Sequence, residues 1–230
     1  MRRRAVDRLR RRGPLLEVAR DSQYEDARLR AVERLRDPSV LGPVALEDPS
    51  PRVRARATAK LRDQALLGAI ARVDRDWHVR KRAVERLRDQ DELCLHARQD
   101  EAWQVRLAAV RRLRDERTLA NRARWDKAWQ VRKAAVGRLR DQQVLANRAK
   151  NDENWGVRWA AVRRLDDQAV LANRARYDPE VRVRQAAISR LNDAGLLERL
   201  ATDELAEVRE AAAARLAALR AGPAEQGPAA

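Results

Sequence analysis

The 230-residue sequence predicts an all-α fold, a right-handed α-solenoid of eight two-helix repeats of 26 residues with the second helix short. Three observations predict it. An arginine returns every 26 residues through Arg28, Arg54, Arg80, Arg106, Arg132, Arg158 and Arg184. Counting each repeat from the residue after that arginine, position 3 is Ala and position 7 is Leu in all eight copies, with Leu at position 13 and Ala at position 17. Inside a repeat, Val105, Ala109, Val110 and Leu113 are spaced to fall on one helical stripe.

Each element follows from that register. The first helix of the repeat at 100–126 carries the stripe, and Asp100 is placed to cap its N-terminus. A shorter second helix follows Asp115, with Leu119 and Ala123 on its buried side. The aspartates at position 9 (Asp37, Asp63, Asp89, Asp115, Asp141, Asp167 and Asp193) read as caps of that second helix. Neither helix can hide its stripe alone, so the repeats must stack. The units are 3–28, 29–54, 55–80, 81–106, 107–132, 133–158, 159–184 and 185–210, forming a single solenoid domain over 1–221. The last loses one residue between Asp193 and Asp203, and the Gly/Pro/Ala-rich tail 222–230 is expected to be disordered.

The run Asp-x-x-x-x-Val-Arg occurs in register at Asp48–Arg54, Asp74–Arg80, Asp100–Arg106, Asp126–Arg132, Asp152–Arg158 and Asp178–Arg184. It resembles the signature of HEAT-like repeats, and the short unit is similar to the bacterial leucine-rich repeat variant family, whose second helix is abbreviated. The resemblance spans 1–221 and departs from ordinary HEAT units in its length and its lack of a regular interhelical Pro. It implies a binding scaffold for protein or nucleic acid, an Asp–Arg ladder between neighbouring units, and a concave face lined by the Val-Arg helix.

Net charge is +16, with only five lysines among 51 basic residues, which points to an anionic partner. Some of the charge belongs to the scaffold: the Arg after Val lies at the edge of the apolar stripe, where an unpaired charge is costly, so it is expected to pair with the ladder Asp. The cations left over form rows at position 6 (Arg8, Arg34, Lys60, Arg86, Arg112, Arg138, Arg164 and Arg190) and position 8 (including Arg114 and Arg140). Position 2 changes from Arg to Ala between the first four and the next four repeats. Position 16 runs the other way, from Val18, Val44, Ile70 and His96 to Arg122, Arg148 and Arg174. Repeat 107–132 has eight Lys and Arg against three Asp and Glu, and 133–158 has six against three, whereas 81–106 balances at six each. The basic maximum therefore falls in the fifth and sixth repeats.

Trp77, Trp103, Trp129 and Trp155 share one position just before Val-Arg, with Trp125 and Trp159 nearby. Helical spacing sets each beside the Arg three residues on, so the row either seals joints between repeats or stacks bases while Arg meets phosphate.

Little here suggests catalysis. His78 and His96 are the only histidines, and Cys94 and His96 point to different sides of a helix, so no metal or cofactor is expected. There is no phosphate loop and no Ser-His-Asp spacing. The lone cysteine fits a reducing cytoplasm, and neither a secretory signal nor a membrane span is expected. The sequence thus predicts a non-enzymatic scaffold that binds the phosphate backbone of RNA or DNA. Its candidate site is Arg112, Arg114, Arg122, Arg138, Arg140, Arg148, Arg164 and Arg174 with Trp103, Trp129 and Trp155. An adaptor for an acidic protein segment is the alternative, and a HEAT-like DNA glycosylase a remote third; no small-molecule substrate is expected.

Overall fold

The computed structural model describes residues 6–7 and 12–221, and among them the chain is helical with no strand. The predicted tail 222–230 and the row members Arg8 and Arg10 lie outside the described residues. Sixteen helices form eight hairpins. In order these are α1 (Arg12–Asp21) and α2 (Glu25–Arg34), α3 (Pro38–Glu47) and α4 (Pro51–Thr58), α5 (Gln64–Val73) and α6 (Trp77–Val84), and α7 (Gln90–Gln99) and α8 (Trp103–Val110). There follow α9 (Glu116–Trp125) and α10 (Trp129–Val136), α11 (Gln142–Asn151) and α12 (Trp155–Val162), α13 (Gln168–Tyr177) and α14 (Val181–Ile188), and α15 (Ala194–Leu200) and α16 (Ala206–Ala221). The repeated hairpin is that of an α-solenoid. Its contacts divide the chain into two compact units, 1–118 and 119–230.

The core is the predicted register. Ala at position 3 is fully buried from Ala31 to Ala187, and the position-7 leucines are nearly so. In the first unit α2, α4, α6 and α8 pack each on the next, and in the second α10, α12, α14 and α16 do the same. A methyl at position 3 lets these helices approach closely, and Val or Ile at position 4 fills the groove beside it.

One expectation is reversed. From α4 to α14 the Val-Arg helices are the short ones, at 8 residues, while those capped by the position-9 Asp run 10. The Val-Arg helix ends early because it tightens: Arg112 N–H reaches back to the carbonyl of Ala109, and Leu113 N–H to Ala109 and Val110, so one last turn still carries Leu113 into the core. The other helix gets a strong start from its cap, as where Asp141 accepts from Gln143 and Val144 N–H. All seven position-9 aspartates accept a backbone N–H in this way.

The ladder Asp is a joint rather than the helix cap assigned to Asp100. Its own N–H closes the preceding helix, and its carboxylate accepts from the N–H two residues on, turning the chain into the next: Asp100 bonds His96 carbonyl and Ala102 N–H. The same carboxylate receives a forked guanidinium from the preceding repeat. Arg28 meets Asp48 at 2.8 and 3.0 Å, and Arg54–Asp74, Arg80–Asp100, Arg132–Asp152 and Arg158–Asp178 repeat this at 2.9–3.0 Å. In the last four pairs the remaining Arg nitrogen donates to the carbonyl of the Asp six residues earlier. These hydrogen bonds raise the arginine pKa values above their ordinary range, against the pull of burial. The ladder arginines thus serve the scaffold.

Candidate nucleic-acid interface

The residues singled out by sequence separate onto three parts of the hairpin. The position-6 cations lie at the turn after each Val-Arg helix and are bonded to main chain: Arg112 donates to the Leu87 carbonyl at 2.8 Å, Arg164 to Leu139 at 3.0 Å, and Lys60 to Val32 and Glu33 at 2.8 and 2.7 Å. Those carbonyls have no partner within their own helix, and a cation suits the negative end of its dipole. This row staples repeats together. Burial, joined by Arg56 and Arg36, holds the Lys60 ammonium below its usual pKa. Arg138 occupies the equivalent turn, while Arg114 and Arg140 of position 8 are exposed beside it.

A second staple was not foreseen. Gln64 accepts from Arg88 N–H through its carboxamide oxygen and donates to the Arg86 carbonyl, and Gln142 and Gln168 repeat the arrangement one hairpin at a time. Its only sequence signal was Gln recurring at position 10.

Arg122, Arg148 and Arg174 lie on the long helices with 20%, 16% and 16% of their side chains exposed. Each reaches back 3.5 Å to the ladder Asp four residues on, so Asp152 and Asp178 each serve two arginines. Position 16 in the first unit instead holds buried Val44, Ile70 and His96. Burial lowers the His96 pKa, opposed by Asp100 and reinforced by Arg72 and Arg80. The change at position 16 is therefore a change in how the ladder is braced.

The tryptophans fall on the face made by the short helices. Trp103 is half-buried, Trp129 is 41% and Trp155 is 38% exposed, and Trp125, at the end of a long helix, is 75% exposed. The arginine expected over each ring, three residues on, is held by the ladder. Trp155 is covered instead by Arg182 of the next repeat, at 5.3 Å from ring centroid to guanidinium carbon. One turn on, Trp159 has Arg163 at 4.7 Å and the Lys133 ammonium at 5.6 Å. These residues line a groove of about 440 Å³ across α10, α12 and α14, completed by Gln185, Ala186 and Ser189. Gly156 helps to shape it: a Cβ there would stand 3.1 Å from the Asn154 carboxamide oxygen and 3.7 Å from the Lys133 ammonium.

No carboxylate lines this groove, and the contrast with the first unit is chemical. A larger groove of about 760 Å³ on the same helix face there includes Trp77, its stacked neighbour His78, Arg52, Arg56, Lys81 and Arg82, but also Glu33 and Asp76. Its cations are neutralised in place: Lys81 and Arg82 meet Glu85 at 2.8 and 2.9 Å, Arg52 meets Glu25 at 3.3 Å, and Arg56 meets Glu33 at 3.7 Å. Burial raises the Glu85 pKa, but the bonds from Lys81 and Arg82 outweigh it and hold it low. At position 5, where the first unit has Glu33 and Glu85, the second has Gly137, Arg163 and Ser189. Of the eleven residues singled out by sequence, Trp155 alone is in the acid-free groove. Lys133, Arg163 and Arg182 were missed because their positions vary from repeat to repeat. The available signal was the i, i+4, i+8 series Trp155, Trp159, Arg163.

Among the described residues, no group of three or more His, Cys, Asp and Glu could hold a metal ion, and no helix is long and apolar enough to cross a membrane. No protein-family model and no curated protein sequence matches the chain. The solved structure of Escherichia coli YibA aligns over 94% of this chain and 95% of its own, with 16% identity and a TM-score of 0.60, a likeness of fold. A designed armadillo repeat protein aligns over 95% of this chain and 100% of its own at 18% identity, with a TM-score of 0.27.

Proposed function

We propose that this α-solenoid is a non-enzymatic scaffold of the HEAT-like kind that binds nucleic acid on the short-helix face of residues 119–221. The observation that carries the reading is the groove in which Lys133, Arg163 and Arg182 lie over Trp155 and Trp159 with no lining carboxylate. A cation over an aromatic ring is oriented without being neutralised, so its charge remains available to an external anion. Phosphates would meet the cations while the rings give apolar contact. The cations of the first unit's groove are already paired with their own carboxylates and add little.

The test is affinity for RNA and DNA at about 50 mM salt, where phosphate-driven binding is strong. Combining Lys133→Gln, Arg163→Gln and Arg182→Gln should weaken binding and flatten its salt dependence by about two in the log–log slope, since each phosphate contact contributes about 0.7 on a single strand. Charge-reversing Arg122, Arg148 and Arg174 is a poor test, because those arginines brace the ladder. If the wild-type chain binds neither RNA nor DNA, or binds an acidic polypeptide equally well, the reading is wrong.

A further inference from the structure

The groove of the second unit has features that bear on the form of nucleic acid it suits. Its cations and rings lie in a recess across three helices, at the small end of the size range for ligand sites. Duplex DNA is read by an element that projects into its grooves, and its bases are stacked out of reach of a recess. An unpaired nucleotide has no such constraint: its base can leave the strand and lie against an aromatic or guanidinium plane.

The recess offers both kinds of contact. Trp159 is flanked by Lys133 and Arg163, whereas Trp155 keeps 38% of its surface exposed despite Arg182. Trp155 and the guanidinium over it are thus the stacking surface, and Lys133 and Arg163 are placed for phosphate. Two polar groups can bond a base edge. Gln185 donates its amide N–H to the Glu207 carbonyl, which leaves its carboxamide oxygen as an acceptor, and the Ser189 hydroxyl, which donates to the Ala186 carbonyl, keeps its oxygen lone pairs.

We propose that the Trp155 recess takes one unpaired nucleotide, its base against Trp155 and Arg182 and its phosphate on Lys133 and Arg163, so that the chain prefers single-stranded nucleic acid to duplex. This rests on the nucleic-acid reading above and narrows it.

The experiment uses the full chain and four probes: a short oligothymidylate, a duplex of the same length, inorganic polyphosphate and polyglutamate. Affinity and tryptophan fluorescence are followed together at about 50 mM salt. The single strand should bind more tightly than the duplex and quench tryptophan emission, and polyphosphate should bind without that quench. Trp155→Leu should remove most of the quench and weaken single-strand binding at least about fivefold, the lower end for losing one stacked base. Ser189→Glu places a carboxylate where the first unit has Glu33 and Glu85, at an exposed position that does not threaten folding, and should weaken the single strand more than the duplex. Equal binding of both strand forms without quenching, or a Ser189→Glu variant that binds both as before, would overturn the single-nucleotide inference and leave nucleic-acid binding intact. Binding of polyglutamate but no oligonucleotide would overturn both.

Discussion

Removing one ladder carboxylate is the sharpest test of how the repeats are held together. Asp152 is 4% exposed and carries two bonds from Arg132 at 2.9 and 3.0 Å, one from Asn154 N–H at 3.0 Å, and the Arg148 guanidinium at 3.5 Å. Arg132 is itself 6% exposed. Asp152→Ala leaves that guanidinium buried with only Glu153, itself largely in solvent, and main-chain carbonyls for partners. Breaking a buried pair from one side costs about 3–5 kcal/mol, because the stranded charge keeps its desolvation penalty. A surface pair would cost under about 1 kcal/mol. In a stacked-repeat chain the loss should be concentrated at the joint between hairpins α9–α10 and α11–α12, where hydrogen exchange of α10 and α12 should accelerate most. Urea unfolding gives the total. Adding Arg132→Met should recover part of the loss, since the second change removes the stranded charge. A loss below about 1 kcal/mol, or a double variant less stable than Asp152→Ala alone, would refute a buried-charge ladder.

Three further outcomes are expected. Arg164→Gln should cost about 0.5–1.5 kcal/mol in urea unfolding by releasing the Leu139 carbonyl, with nucleic-acid affinity unchanged, which separates the staple row from the groove. Asp141→Ala should cost about 1 kcal/mol through loss of the α11 cap, read as a lower unfolding midpoint. His96 is held below its ordinary value of 6.5 by burial, so the unfolded chain takes up the proton more readily than the folded one. Its neutral form costs nothing above 6.5, and stability falls as the pH drops from that value through the lower folded one. Glu92 and Asp100 lie 3.9 Å from its ring nitrogens, too far to offset the burial fully. His96→Ile, which copies Ile70 at the same position, should remove that part of the pH dependence of the thermal midpoint; an unchanged profile would exclude His96 as its source.

The sequence by itself determined the architecture. Period, apolar register, caps and ladder are local or nearest-neighbour features, repeated often enough to be read without coordinates. Ala31 through Ala187, the position-7 leucines and the seven capping aspartates all do what their spacing requires. Only the tertiary structure decided which charges are spent. Arg112 and Arg164 are invisible as staples in a sequence, because their partners are carbonyls 25 residues away, and every residue has a carbonyl. Arg122, Arg148 and Arg174 repeat regularly because they brace a regular ladder. The groove was hidden for the opposite reason. Lys133, Trp159, Arg163 and Arg182 occupy positions that differ between repeats, and stacking alone brings them round Trp155. Regularity marked what holds the helices together, and the available charge lies where the register is broken.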